Sequence, residues 1–239
     1  MSKISIVVPM YNEQEALDIL YRELKRVTET IPDHEFEYLF VNDGSKDSSL
    51  KGIEEICSRN KDFYYISFDR NRGLSAAIKA GFDTCESPLV GYMDADLQTA
   101  PEDFNLLLPH AADYTLVSGI RARRNDSGSK RIQSKIANGF RRMMTGDTAT
   151  DTGCPLKVMQ TPYAKRIPMF KGMHRFFAAL ITLQDGGTFF ETPVRHFPRT
   201  AGQSKFHLWN RLIGPFQDCF AFRWMRSRYI NYHIAKDNI

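Results

Sequence analysis

The chain has 239 residues, of which 42% are hydrophobic and 25% charged, a balance that is typical of a folded globular protein and excludes a disordered one. Its four cysteines form no CxxC pair, so neither a zinc site nor a disulfide framework is indicated. Residues 1–115 carry 11 Lys and Arg against 21 Asp and Glu, whereas residues 116–239 carry 21 against 7. We therefore expect the second half to face something anionic, such as phosphate, nucleic acid or acidic lipid.

The beginning of the chain and its apolar runs bear on membrane insertion. The N-terminus lacks the organisation of a signal peptide. The longest apolar runs, Ile4–Pro9 and Phe176–Leu183, are much shorter than the roughly 20 residues that span a bilayer. We expect a chain that does not cross a membrane unaided and that keeps its thiols reduced in the cytosol.

Strand and helix patterns alternate over the first 120 residues. Ile4–Val8 predicts a strand, and apolar residues at helical spacing follow it from Ala16 to Ile31. Further strands are predicted at Glu37–Asn42, Phe63–Phe68, Leu89–Met93 and Tyr114–Ile120, with helices at Leu74–Phe82 and Pro101–Leu108. This alternation predicts an α/β fold: a doubly wound, mainly parallel sheet with helices on both faces and a ligand beyond the carboxyl ends of the strands.

The second half has a different pattern. Residues 121–142 hold eight basic residues and one acidic residue, which is typical either of a phosphate-binding segment or of a solvated basic helix. From Phe206 onward arginines accompany apolar residues three or four positions apart, at Trp209, Ile213, Phe216, Phe220 and Trp224. Such a tail fits an amphipathic helix in a lipid headgroup layer, and equally a helix packed on the domain or in a dimer. Pro215 is expected to divide it into two short helices.

An acidic turn, Asp94-Ala95-Asp96-Leu97-Gln98, directly follows the fourth predicted strand. Alternate residues of an extended chain face one way, so Asp94, Asp96 and Gln98 can converge. Their oxygens are hard ligands suited to Mg²⁺ or Mn²⁺, with substrate phosphates completing the shell. An acidic turn that caps the helix at Pro101 is the plainer alternative.

The turns after the first two strands carry further candidate ligands. Pro9–Glu13 holds no glycine, which argues against a dinucleotide-binding G-x-G-x-x-G turn. Tyr11 there can stack on a base, and Glu13 can simply offset the helix dipole. In Asn42–Asp47, Asp43 can accept hydrogen bonds from a base or ribose, although an ordinary Asx turn also explains it.

Seven motifs occur in an ordered series: VVPMYNE, VNDGSKD, RNRGLSAAIKAG, MDADLQTAPED, DTGCPLKVM, MHRF and RTAGQSKF. Together they resemble glycosyltransferase family 2, which has the GT-A fold, and within it the dolichyl- and polyprenyl-phosphate sugar transferases, such as dolichol-phosphate mannosyltransferase. The similarity covers nearly the whole chain except the last thirty residues. The DTGC turn at Asp151–Cys154 departs from the DxTSG-like form of many relatives, which suggests a subgroup and not a different reaction.

The resemblance implies a role for each matched position. The nucleotide-base pocket is implied at Pro9, Tyr11, Glu13 and Asp43. The ribose and metal are implied at Asp94, and the metal-binding pair at Asp96 and Gln98. A late loop that closes over the donor diphosphate is implied at Arg199 and Lys205. The acceptor-phosphate clamp is implied at Arg121, Arg131 and Ser134, so that the residues carrying the reaction are Asp94, Asp96, Arg121 and Arg131.

The same resemblance implies an inverting transfer of a hexose from GDP-mannose or a UDP-hexose to undecaprenyl or dolichyl phosphate, for envelope glycan or lipid modification. A lipid monophosphate is already an anion at neutral pH, since its second pKa is roughly 6, whereas a saccharide acceptor needs a general base. The saccharide alternative leaves Asp151 as the best base. His174 and Arg175 fit either the acceptor site or a structural role.

Two other classes of protein remain as alternatives. A nucleic-acid-binding protein would use the basic half but would leave Asp94–Gln98 unexplained, so we expect no nucleic acid partner. A catalytically inactive donor-binding module would keep the same ligands.

The predicted organisation is a GT-A domain over residues 1–205, with a nucleotide-sugar and metal half at 1–115 and an acceptor half at 116–205, followed by the tail at 206–239. We expect a cytoplasmic protein held peripherally on the inner face of the membrane by anionic lipid, with a homo-oligomer or a separate membrane partner as further possibilities.

Overall fold

A seven-stranded sheet forms the centre of the computed structural model, which describes residues 2–121, 138–198, 208–231 and 235, without the side chains of 208–213. The strands are β1 Ser2–Met10, β2 His34–Asn42, β3 Phe63–Ser67, β4 Leu89–Tyr92, β5 Leu116–Arg121, β6 Lys157–Gln160 and β7 Phe189–Val194. They lie in the order β3-β2-β1-β4-β6-β5-β7. Of these strands, β6 runs antiparallel to both of its neighbours, and the other pairs are parallel.

Helices cover both faces of this sheet. They are α1 Leu17–Thr30, α2 Ser49–Arg59, α3 Leu74–Thr84, α4 Phe104–Leu107, α5 Thr161–Lys165, α6 Phe177–Thr182 and α7 Leu208–Ser227, and residues 138–145 are also helical. Strand β1 sends Ile6 into the core layer that contains Leu24 of α1, and Val7 into the opposite layer with Phe82 of α3. This alternation follows from the two-residue period of a strand, and it confirms the predicted α/β fold class.

The parallel register brings several loops to one edge of the sheet. Met10 pairs with Asn42 at the ends of β1 and β2, and Val7 of β1 pairs with Tyr92 at the end of β4. Since β5 points the same way as β4, Arg121 at its end reaches this edge too. The turns singled out in the sequence therefore meet at one place.

Before the tail, four elements depart from the sequence prediction. Helix α2 and strands β6 and β7 carry no prediction. The helix predicted over Pro101–Leu108 is divided into 3₁₀ turns at Pro101–Asp103 and Leu108–His110 around α4. Pro109 has no N–H for an α-helical hydrogen bond, so the segment tightens there.

The prediction that Pro215 divides the tail is wrong, because α7 runs from Leu208 to Ser227 with Pro215 inside it. The residue before a proline is normally pushed out of the helical region by a clash with its Cβ. Here that residue is Gly214, which has no Cβ, and the far half of the helix is fixed by the burial of Cys219 and Phe222.

None of the helices within the described ranges is long and apolar enough to cross a membrane. The division of the chain at residue 205 falls outside those ranges and stays a prediction.

Candidate active site

The turns after β1 and β2 interlock through hydrogen bonds that backbone N–H groups donate. Asp43 N donates to Met10 O at 2.8 Å, Asn12 N donates to Ser45 Oγ at 3.0 Å, and Lys46 N donates to Asn12 Oδ1 at 2.8 Å. Asn12 has a φ of 53°, a left-handed conformation that asparagine tolerates better than most residues. The turn that carries Tyr11 and Glu13 is thus held rigidly against the turn that carries Asp43.

The Asp43 carboxylate organises a third loop. It is buried and accepts hydrogen bonds from Arg72 N at 2.6 Å, Gly73 N at 2.9 Å and Asn71 Nδ2 at 2.9 Å. The neighbouring Gly44 has a φ of +65°, and a Cβ added there would lie 2.3 Å from the carbonyl carbon of Arg70. Asp43 and Gly44 therefore position the Asn71–Gly73 loop. The sequence predicted base binding for Asp43 but not this positioning role.

The acidic turn after β4 is held in a defined shape. The Tyr92 hydroxyl donates to Asp94 Oδ1 at 2.6 Å, and Gln98 N donates to Asp96 Oδ1 at 3.2 Å. Burial, with the charge of Asp94 as the next cause, raises the pKa of Tyr92 well above its usual value, so its hydroxyl stays protonated and remains a donor. Leu97 has a φ of 54°, which is costly for a leucine and indicates that the surrounding contacts impose this conformation.

A late segment of the chain lies directly against the acidic turn. Phe197 N donates to Gln98 O at 2.9 Å, and Thr99 forms an antiparallel bridge with His196. Arg195 is fixed to Asp103 through its N at 2.6 Å and its Nε at 2.7 Å. The chain that leads towards Arg199 therefore starts beside Gln98.

Arg121 forms a buried ion pair with Asp151. Its Nε and Nη2 donate to the two carboxylate oxygens at 2.8 and 2.7 Å, its backbone N donates at 3.1 Å, and the two side chains are only 18% and 10% exposed. Burial opposes both charges, but the mutual hydrogen bonds and attraction outweigh it, so the pKa of Arg121 is raised and that of Asp151 is lowered. Glu191 supports the pair by accepting from the backbone N–H groups of Thr150 and Asp151.

Lys157 is a buried cation in the same place. Its Nζ donates to the carbonyl of Cys154, and burial lowers its pKa, although the nearby charges of Asp151 and Asp94 oppose that shift. Lys157 also pairs with Tyr92, at the end of β4 just before the acidic turn, and with Ser118 of β5, the strand that ends at Arg121. The acidic turn and the Arg121–Asp151 pair thus belong to one site. Sequence reasoning missed Lys157, for which the available signal was a lysine inside the apolar strand at 157–160.

His174 lies near this site, with Nδ1 at 2.8 Å from Ser75 Oγ, and Ser75 Oγ also accepts from Gly172 N at 3.0 Å. Burial, helped by the charges of Arg175 and Lys157, lowers the pKa of His174 to about 3. The side chain is therefore neutral at physiological pH, and its hydrogen bond to Ser75 fits a structural role.

The structure describes some of the predicted site residues, and others lie outside the described ranges. It brings the turns of Pro9–Glu13, Asp43 and Asp94–Gln98 to one edge of the sheet, where β5 also ends at Arg121. Arg131, Ser134, Arg199 and Lys205 lie outside the described residues. In the part of the chain that is described, no three His, Cys, Asp or Glu side chains gather as a metal site.

A family model described as Glycosyl transferase family 2 matches residues 5–167. An undecaprenyl-phosphate 4-deoxy-4-formamido-L-arabinose transferase of Pseudomonas fluorescens (strain Pf0-1) is 33% identical over 205 residues, which are 85% of this chain and 60% of that protein. The transferase of the same name from Edwardsiella ictaluri (strain 93-146) is 33% identical over 208 residues, 86% of this chain and 63% of that protein. The chain thus spans about three fifths of the length of these curated relatives.

Two solved structures share the fold. Glucosyl-3-phosphoglycerate synthase from Mycobacterium tuberculosis, in complex with Mn²⁺, UDP and glucosyl-3-phosphoglycerate, has a TM-score of 0.68 at 13% identity and covers 96% of this chain and 81% of its own. The mannosyltransferase PcManGT from Pyrobaculum calidifontis, in complex with GDP-Man and Mn²⁺, has a TM-score of 0.57 at 14% identity. The match covers 97% of this chain and 65% of that protein's chain.

Proposed function

We infer that this chain, which belongs to glycosyl transferase family 2, moves a hexose from a nucleotide-sugar to a polyprenyl monophosphate with inversion at the anomeric carbon. The observation that carries this inference is the position of three features at one edge of the sheet: the acidic turn after β4, the buried Arg121–Asp151 pair at the end of β5, and the buried Lys157, which pairs with Tyr92 and Ser118. Oxygen ligands for the donor side therefore lie beside cations for an anionic acceptor. The two relatives named as undecaprenyl-phosphate sugar transferases support a lipid phosphate as acceptor.

A divalent cation, Mg²⁺ or Mn²⁺, would be held by Asp94, Asp96 and the amide oxygen of Gln98. Two carboxylates and an amide suit such a cation when donor phosphates complete its shell, so the lack of a third acidic ligand among the described residues fits this arrangement. The hydrogen bonds from Tyr92 and from Gln98 N hold both carboxylates in place beforehand. The bound cation would neutralise charge on the departing diphosphate.

The nucleotide would lie across the interlocked turns, with Pro9, Tyr11, Glu13 and Asp43 forming the base pocket. GDP-mannose and UDP-hexoses remain the candidate donors; the two structural neighbours were solved with UDP and with GDP-Man. Arg199 and Lys205 would add positive charge over the diphosphate, since the segment that precedes them lies beside Gln98.

The acceptor phosphate would be bound by Arg121, with Arg131 and Ser134. A guanidinium has five N–H donors, and the Asp151 contacts engage Nε and Nη2, so other N–H groups of Arg121 can bind a phosphate. In the transfer, an oxygen of the acceptor phosphate forms a bond to the anomeric carbon as the bond from that carbon to the donor phosphate breaks. A nucleoside diphosphate leaves, and no proton has to be removed from the nucleophile.

Asp151 distinguishes this reaction from transfer to a saccharide hydroxyl. A hydroxyl acceptor needs a general base with a pKa near the working pH. Asp151 was the best candidate, but its pKa is lowered and both of its oxygens accept hydrogen bonds from Arg121. This arrangement favours an acceptor that is already ionised.

The reaction would take place where polyprenyl phosphate resides, so we place the chain peripherally on the cytoplasmic face of the cell membrane. The product would be a polyprenyl-phosphate hexose for envelope glycan or lipid modification.

The test is a donor screen with Mn²⁺ or Mg²⁺ that compares a short polyprenyl phosphate, the matching polyprenol and simple sugars as acceptors. We expect turnover with polyprenyl phosphate and none with the polyprenol or with simple sugars. We also expect Asp96→Ala to abolish this turnover. The control is Asp113→Ala, an exposed carboxylate before β5, at the edge of the sheet opposite Arg121. Transfer to simple sugars, or full activity of Asp96→Ala, would contradict the proposal.

A further inference from the structure

The acidic turn after β4 is held from outside by a later part of the chain. Phe197 N donates to Gln98 O at 2.9 Å, and Thr99 forms an antiparallel bridge with His196. Leu97, in the middle of the turn, has a left-handed φ of 54°, a conformation that leucine keeps only where its surroundings impose it. The residues that follow β7 therefore supply part of the constraint that shapes this turn.

Those later residues are anchored by Asp103, which ends the 3₁₀ turn that follows the acidic turn. One oxygen of the Asp103 carboxylate accepts from Arg195 N at 2.6 Å, and the Nε and Nη2 atoms of Arg195 both lie 2.7 Å from the other oxygen. The Asp103 side chain is only 4% exposed, so water competes little for its oxygens. Residues 98–103 and 195–197 thus form a closed ring of contacts, here called the clip.

The clip also connects the acidic turn to the strand end that carries Arg121. Val194, the last residue of β7, pairs with Arg121 in the sheet, and Arg195 is the next residue along the chain. A displacement of Arg195 from Asp103 therefore moves the acidic turn relative to Arg121. In the proposed reaction the donor lies at the acidic turn and the acceptor phosphate at Arg121, so the clip fixes the separation of the two substrates.

We propose that Asp103 and Arg195 are positioning residues, which hold Gln98 in the shape that binds the cation and hold the acidic turn at its working distance from Arg121. This inference rests on the proposed function, which gives the turn its metal and Arg121 its phosphate. Both positioning residues act through the backbone of the turn and touch no substrate. A misplacement of reacting groups by about 1 Å can lower a rate about 100-fold, so even a small shift of the turn has a measurable effect.

A purely structural ion pair is the competing explanation, and the same network supplies a control for it. Glu102 accepts from Arg195 Nη2 at 3.0 Å, and its other oxygen lies 2.9 Å from Nε of Arg26 on α1. Arg26 and Arg195 are similarly exposed, at 60% and 51%, but Arg26 pairs with Glu102 and Glu23 instead of Asp103. Arg26→Ala therefore removes an ion pair of this network and leaves the clip intact.

The first measurement uses the full chain without metal, donor or acceptor, so it does not depend on the proposed reaction. Hydrogen–deuterium exchange is followed in peptides that contain Phe197, whose amide donates to Gln98 O. We expect this amide to exchange at least about tenfold faster in Asp103→Ala and in Arg195→Ala than in the unsubstituted chain, and at an unchanged rate in Arg26→Ala. Arg195→Ala removes a half-exposed side chain, so its result holds even if Asp103→Ala folds poorly. Equal exchange in all of these proteins would overturn the proposal.

The second measurement follows Mn²⁺ binding, with UDP or GDP present, by loss of the electron paramagnetic resonance signal of the free ion. It is combined with kcat and KM for polyprenyl phosphate and the accepted donor. We expect Arg195→Ala to bind Mn²⁺ about tenfold more weakly and to lower kcat at least about tenfold, with a smaller change in the KM of the acceptor. Arg195→Lys, which keeps a cation beside Asp103, should recover most of this loss, and Arg26→Ala should behave like the unsubstituted chain.

The outcomes separate this inference from the reaction on which it rests. If the unsubstituted chain binds no Mn²⁺ with either nucleotide, the metal site of the proposed function fails, and the role of the clip in metal binding fails with it. If the unsubstituted chain binds Mn²⁺ and turns over, but Asp103→Ala and Arg195→Ala keep its Mn²⁺ affinity and kcat, the positioning role alone is refuted. Equal losses in Arg26→Ala and Arg195→Ala would also refute it, because they would show a general effect of the ion-pair network.

Discussion

Replacement of Asp151 by asparagine tests the buried ion pair at the site. The Asp151 carboxylate accepts from the Nε, Nη2 and backbone N of Arg121 and from Gly153 N, at distances of 2.7 to 3.2 Å. Asparagine keeps one acceptor oxygen, turns an NH₂ towards a donor, and leaves a buried guanidinium without its counter-ion next to Lys157.

Breaking a buried pair by removing one charge costs about 3–5 kcal/mol. For a chain of this length each kcal/mol lowers the unfolding midpoint by about 2–4 °C, so we expect a drop of roughly 6–20 °C in thermal unfolding followed by calorimetry. Because the pKa of Asp151 is lowered, its contribution is present above the unfolded value near 4 and is lost as the pH falls through the folded value. The difference in unfolding midpoint between the unsubstituted chain and Asp151→Asn should therefore be largest near pH 7 and shrink below about pH 4.

The matched control is Asp69→Asn. Asp69 also forms a forked pair with an arginine, Arg72, but the two side chains are 70% and 44% exposed. Exposed pairs contribute less than about 1 kcal/mol, so the midpoint should fall by no more than about 4 °C. Equal shifts for the two variants would refute the view that the Arg121–Asp151 pair is held in a buried, low-dielectric site.

Further predictions concern the turns and the histidine. Gly44→Ala forces a Cβ against the Arg70 backbone and should destabilise the chain by about 2–3 kcal/mol in urea unfolding, whereas Gly139→Ala, in the helical segment 138–145 with no atom within 4 Å of the added Cβ, should not destabilise it. Tyr92→Phe removes the hydrogen bond that orients Asp94 and should raise the Mn²⁺ concentration for half-maximal activity about tenfold or more; an unchanged metal requirement would exclude this positioning role. His174, with a pKa of about 3, should show no titration of its ring proton signals between pH 5 and 8, and its contribution to stability should be complete above about pH 6.5 and decline as the pH falls towards 3.

The sequence predicted the elements whose patterning is local. The strands at Ile4–Val8 and Leu89–Met93 and the helix at Leu74–Phe82 are confirmed with small changes at their ends, because runs of apolar residues and their periodicity are set within one segment. Strands β6 and β7 were missed, since each pairs only with residues distant in the chain and β6 contains the charged Lys157.

The candidate site was likewise predicted in part from the sequence. The convergence of the Asp94–Gln98 turn with the turns after β1 and β2 follows from the rule that parallel strands share a carboxyl edge. The pairing of Arg121 with Asp151 does not follow from any local pattern, because the two residues are thirty positions apart. They meet because Asp151 leads into β6, which runs antiparallel to β5. For Pro215 the local rule was misleading, since the preceding glycine and the packing of α7 offset the preference of proline to end a helix.

Transfer of a sugar to a phosphate oxygen determines the identity of both products, so the products themselves test the proposed reaction. The purified chain would be incubated with Mn²⁺, a short polyprenyl monophosphate and the accepted nucleotide-sugar, and the mixture analysed by mass spectrometry. We expect equal amounts of nucleoside diphosphate and of a polyprenyl monophosphate that carries one hexose. Release of nucleoside monophosphate with a lipid diphosphate sugar, or consumption of donor with the lipid phosphate unchanged, would contradict the proposed reaction.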